Sequence, residues 1–186
     1  VLFELIESEN IDYADVERVT VNIASPGIDL IGDPTNTYPQ SFVDAQFSMP
    51  FGVALALAAR DDSVETFLDA VEGGVSDEMK RLIDKTTVSE AEWIEDAYPE
   101  RWPAEVTVET ASETFSGRTD YARGEPENPL SWEATVAKYE DLTEPVLGPD
   151  GVTETREGLH KLDSQSVSEL MNTFARAGKQ PTTADD

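Results

Sequence analysis

Cysteine is absent from this chain of 186 residues, and histidine occurs once, as His160. Without thiols there is no disulfide, no thiolate nucleophile and no cysteine zinc site, and one imidazole cannot build a histidine metal cluster. A Ser-His-Asp triad would have to use His160, which lies in a polar, loosely patterned stretch and reads better as solvated. The sequence also lacks a glycine-rich nucleotide loop, a pair of histidines at helical spacing and the calcium-loop spacing. Asp150-Gly151 reads as a turn signal. Cations are scarce: 13 Lys and Arg stand against 39 Asp and Glu, a formal charge of −26. No basic stripe exists to neutralise phosphates, which argues against nucleic acid and anionic membrane as partners. No apolar run reaches the roughly 20 residues that a membrane-spanning helix needs.

The acids are spread along the chain, and Trp, Phe, Tyr, Leu and Val recur among them, so the pattern is that of a folded domain with a carboxylate-covered surface. Such a surface repels itself at low salt and is tolerated once salt screens it. Arg exceeds Lys, and Thr, Ala and Val are plentiful. A salt-adapted cytoplasm is the expected home. The opening VLFELIESE has acids early and no basic stretch, unlike a signal peptide. It starts inside a helical pattern with no cap, which leads us to expect more chain upstream.

One segment breaks the acidic pattern. Between Gln46 and Ala59 there is no charge, and every position from Met49 onward is apolar or small. At helix length and apolar on all sides, it predicts a helix buried mid-domain, with Ser48 as cap and Pro50 in the first turn. Before it, Asp12 is expected to cap a short turn, RVTVNIA to form a half-buried strand, and 25–37 to form a loop around a short apolar turn. After it, Ser63 and Ser76 open two amphipathic helices, the first stopped by Gly73-Gly74. Residues 85–88 suggest a strand. Ser89 and Glu92 suggest a capping box for a brief helix, and AEVTVET with SETFSGRTDYA a β-hairpin turning near 111–113. GEPENPL reads as a turn, Ser131 as the cap of a helix carrying Trp132, Val136 and Tyr139, and 144–162 as a looser connection. A second capping box, Ser166 with Glu169, opens the last helix, and 180–186 reads as frayed. The class is α+β, with a small antiparallel or mixed sheet packed with helices.

Carboxylate pairs are too common in this chain for spacing to select an acid/base pair. The few cations stand out more: Arg118, Arg123 and Lys138 cluster around the hairpin and the GEPENP turn, where they meet an anionic substrate or pair with neighbouring acids.

Asp44, Ala45, Phe47, Ser48, Pro50 and Phe51, leading into an alanine-rich helix, resemble a signature of the MmgE/PrpD family. Gly124, Pro126, Asn128, Pro129, Leu130 and Ser131, followed by Lys138-Tyr139 on a helix, resemble a second, and RVTVNIA precedes both in the right order. The family includes 2-methylcitrate dehydratase, cis-aconitate decarboxylase and iminodisuccinate epimerase. The resemblance implies the C-terminal portion of a carbon–oxygen lyase acting on a small di- or tricarboxylate, without metal or organic cofactor. It implies a domain over 1–143, then a connection and terminal helix over 144–186 that pack on an N-terminal helical domain. That domain would carry the proton-transfer groups, so no catalytic residue is expected in this chain, and a homodimer is possible. The implied substrate-side residues are Arg123, Lys138 and Phe51. Phe51 stands where several relatives carry a tyrosine with a proposed acid role, and it has no proton to give. The alternative is a non-catalytic stand-alone domain, or a truncated gene product, that binds a separate helical subunit.

The charge reading has its own test. The melting temperature is expected to rise between low and molar KCl; an unchanged value overturns salt adaptation.

Overall fold

The computed structural model describes residues 1–178, which fall into two compact units, Val1–Pro129 and a second beginning at Leu130. In the first, four strands form one sheet: β1 (Val16–Asn22), β2 (Thr86–Ser89), β3 (Ala104–Thr110) and β4 (Thr114–Thr119), in the order β2-β1-β3-β4. β1 runs parallel to β2 and antiparallel to β3, and β3 pairs antiparallel with β4. The alternation of RVTVN delivers its apolar side chains to one face, so Val16, Val19 and Val21 are buried, as are Val106 and Val108 on β3. A bulge between Val16 and Arg18 keeps Val16 on that face. The fold is α+β with a mixed sheet, as the sequence predicts.

The charge-free segment is the helix α4 (Met49–Ala59). Pro50, Phe51 and the run from Val53 to Leu57 are all buried, so nearly every side of the helix faces protein. The Phe51 amide donates to the Ser48 hydroxyl (3.4 Å), capping the first turn. Arg60 ends the helix in the left-handed region (φ 55°) and donates a guanidinium hydrogen bond to the Ile11 carbonyl (2.7 Å). α4 packs against α1 (Leu2–Glu9), β2 and α6 (Asp77–Asp84), whose Met79, Leu82 and Ile83 are buried. α1 also lies on β4. Gly117 makes that approach possible, because a Cβ there would stand 3.1 Å from Val1 and 3.3 Å from Leu5. Complete burial of Phe51, Leu57 and Leu82 is worth about 1.5–3 kcal/mol each.

Several local expectations give way to tertiary contacts. Residues 25–37 hold a helix, α2 (Ser25–Ile31), and a 3₁₀ turn at Pro34–Asn36. The acceptor for the α2 N-terminus comes from far along the chain: the Ser25 amide and hydroxyl donate to the Glu95 carboxylate at 2.6 and 3.0 Å. No local pattern announces that cap. A separate short helix, α3 (Phe42–Gln46), precedes α4, with Ser41 as its cap. The Ser89–Glu92 box does not form. Ser89 is a β2 residue whose hydroxyl donates to Asn22 on β1 (2.7 Å), so α7 (Glu92–Glu95) begins after Ala91 with no side-chain cap. On α5 (Val64–Glu72) the predicted apolar stripe is only half covered, and Val64 and Leu68 remain exposed.

The second unit differs most from expectation. Residues 144–162 belong to α8 (Trp132–His160), which is a helical hairpin. The Tyr139 hydroxyl donates to Thr155 at 2.6 Å although the two lie sixteen residues apart, and a continuous helix would separate them by about 24 Å. Arg156 pairs with Glu140, and Trp132 meets His160 edge-on at 5.4 Å. The fold-back occurs at Gly148 (φ 68°, ψ 168°), a region open in practice only to glycine, and Pro149 starts the returning arm. Asp150-Gly151 is therefore helical. Gly158 lets α9 (Val167–Ala177) approach that arm, since a Cβ there would lie 3.2 Å from Leu170, and Gly151 leaves room for Leu147, from which a Cβ would stand 3.0 Å. The Ser166–Glu169 capping box opens α9 as predicted, and the frayed-tail expectation for 180–186 lies outside the described residues.

Replacing Gly148 by Ala is expected to destabilise the hairpin by about 1–3 kcal/mol, read as a lower urea midpoint. An unchanged midpoint would show that the turn tolerates a side chain.

Candidate functional site

The loop leaving β4 carries the sequence TDYARGEPEN, too rich in Gly, Pro, Asp and Asn to continue a strand, and it is held by its own hydrogen bonds. The Thr119 hydroxyl donates to the Tyr121 carbonyl (2.7 Å), and the Asn128 side-chain amide donates to the same oxygen (3.1 Å). The Gly124 amide donates to the Asn128 carbonyl (2.7 Å), and the Asn128 amide to the Glu125 carbonyl (2.9 Å). Gly124 has φ 104°, which only glycine adopts without strain. Arg123 projects into solvent between these anchored neighbours.

Most other cations of the described residues are engaged. Arg18, Lys80, Arg101, Arg156, Lys161 and Arg176 pair with carboxylates. Arg60, Arg81 and Lys85 donate to backbone carbonyls. Arg118 lies over the Trp93 ring, 5.4 Å from its centroid. Among the described residues, Arg123 and Lys138 have no such partner. In a chain with three carboxylates for every cation, an exposed unpaired guanidinium is available to a ligand anion, and its planar fork suits a carboxylate.

Lys138 stands exposed on the first arm of α8, in the second unit, whereas Arg123 belongs to the first. Phe51 is fully buried, its ring edge-on to Phe67 at 5.4 Å. It backs an open groove of about 450 Å³ lined by Phe42, Met49, Gly52, Asp62, Val64 and Phe67. Sequence reasoning did not find this groove; the signal for it was the apolar stripe of α5, longer than its own core contacts require. A second open groove, about 440 Å³, lies at the mouth of the α8 hairpin among Trp132, Val136, Arg156, Glu157 and His160. His160 is exposed there.

The groups with shifted pKa all move outward from neutrality. A hydrogen bond from the Thr66 hydroxyl, with support from Ser63, holds the Asp61 carboxyl below its ordinary value, and Thr35 does the same for Asp33. Ser166 lowers Glu169. Hydrogen bonds to Glu78 and Asp84 raise Tyr13 and Tyr38. No group of three or more His, Asp or Glu side chains among the described residues could hold a metal ion. No helix among them is long and apolar enough to cross a membrane.

A mixed sheet packed on an all-apolar helix defines an α+β domain. The chain belongs to the MmgE/PrpD family of dehydratase and decarboxylase lyases: residues 1–164 match the profile of the MmgE/PrpD C-terminal domain. No curated protein sequence matches the chain.

Phe51 offers a direct test of the packing behind the groove. Phe51→Tyr places a hydroxyl in a fully buried site and is expected to lower stability by about 1–3 kcal/mol, measured by urea unfolding. A neutral or stabilising result would mean that a polar partner is within reach.

Proposed function

We propose that the chain is the C-terminal portion of a carbon–oxygen lyase, like 2-methylcitrate dehydratase, and that it acts on a small di- or tricarboxylate. The observation carrying this reading is the exposed, unpaired Arg123 on its locked loop, in a chain whose family membership runs from residue 1 to 164. The chemistry is removal of a proton next to a carboxylate, followed by loss of hydroxide from the neighbouring carbon. A guanidinium that forks the carboxylate orients the substrate and steadies the negative charge that builds as the proton leaves. Arg123 takes this part; Lys138, on the second unit, is a separate candidate contact for a substrate carboxylate, and Phe51 supports the groove wall of the first unit from behind.

The proton-transfer groups are assigned to an N-terminal helical domain. One feature supports such a partner: apolar side chains stand uncovered on each unit, Val64 and Leu68 on the first and Trp132, Val146, Val167 and Met171 on the second. We place the protein in a salt-rich cytoplasm, where its −26 charge is screened.

The test is dehydration of 2-methylcitrate by the chain with and without an N-terminal helical domain of the family. Activity is expected only in the combined protein, and Arg123→Gln should lower its kcat/KM by about 10- to 100-fold. Activity of the isolated chain would overturn the division of labour.

A further inference from the structure

Asn128 binds the Arg123 loop in three ways. Its side-chain amide holds the Tyr121 carbonyl, its own carbonyl accepts from Gly124, and its amide donates to Glu125. The residues on either side of Arg123 are further fixed by the Thr119 hydroxyl on the Tyr121 carbonyl and by the Glu125 amide on the Ala122 carbonyl. The backbone of Arg123 therefore spans a closed loop whose latch is Asn128, while its side chain carries no partner.

The arrangement matters because of what surrounds it. Glu125 and Glu127 stand within four residues, whereas Asp120, before the loop, is paired with Arg101. A mobile Arg123 would fold back on one of these acids. A backbone locked by Asn128 limits the directions the guanidinium can take, and an arginine held away from its own acids stays available to an incoming carboxylate. We infer that Asn128 is the positioning residue for carboxylate recognition by Arg123. The inference rests on the reading of Arg123 given above and goes beyond it, by assigning to the Asn128 side chain the part of the preorganisation that its bond to the Tyr121 carbonyl supplies.

Citrate serves as the probe, titrated in about 0.5 M KCl to screen the chain's charge, with the Gly124 amide and the Arg123 Nε–H followed by NMR. Asn128→Ala is expected to weaken citrate binding about 3- to 10-fold and to change binding less than about twofold when Arg123 is already Gln. Thr119→Val, which removes the other bond to the Tyr121 carbonyl, should act in the same direction and replaces Asn128→Ala if that variant fails to fold. Two results would overturn the inference while leaving Arg123 in place: full citrate affinity in both loop variants, or an equal loss with and without Arg123. The reading of Arg123 itself fails separately, if the unaltered chain binds no citrate or Arg123→Gln binds it as well as the unaltered chain.

Discussion

The structure of the first unit depends on the desolvation of α4. A chain of this charge has few segments that can be taken out of water without leaving a carboxylate behind, and α4 is the longest of them. Its position decides where everything else goes. α1, α6 and β2 present apolar sides to it, and the acids of those elements are left on the outside. Dispersion and apolar transfer supply the stabilisation, while the surface charge works against compaction.

The cations are placed according to the same asymmetry. Arg60 and Lys85 donate to carbonyls of Ile11 and Val16, at the two ends of the segment that leads into β1. These contacts satisfy backbone oxygens and bring positive charge close to an acidic shell. Exposed ion pairs contribute little individually. The unusual state in such a chain is a cation without a partner, and that state draws attention to Arg123.

Much of this was legible in the sequence because it is local. The absence of charge in α4, the alternation of β1 and the serines before α4, α5, α6, α8 and α9 each act within a few residues. The GEPENP turn was legible for the same reason. What escaped was non-local. α2 depends on a carboxylate seventy residues away, and Ser89 is drawn into a strand by Asn22 instead of capping a helix. In α8, Pro145, Gly148 and Pro149 look like breakers, yet only one residue leaves helical geometry, because the two arms stabilise each other across Tyr139 and Thr155. For the candidate site, the scarcity of cations drew attention to Arg118, Arg123 and Lys138, of which Arg118 lies over Trp93; the groove in front of Phe51 needed four helices in place before it existed.

The pairing of β1 with β2 has a consequence for how the chain reaches its native state. Asn22 and Ser89 are adjacent in the sheet and sixty-seven positions apart in the chain, and the other neighbour of β1, β3, follows later still. The central strand therefore emerges during synthesis long before either of its neighbours exists. Closing so long a loop is entropically slow, and contact order of this kind lengthens folding times. Until α4 and α6 assemble, Val19 and Val21 have no partners of their own. Nascent chains of this protein therefore pass through an interval in which β1, the strand with the most buried residues, is open to pairing with other chains.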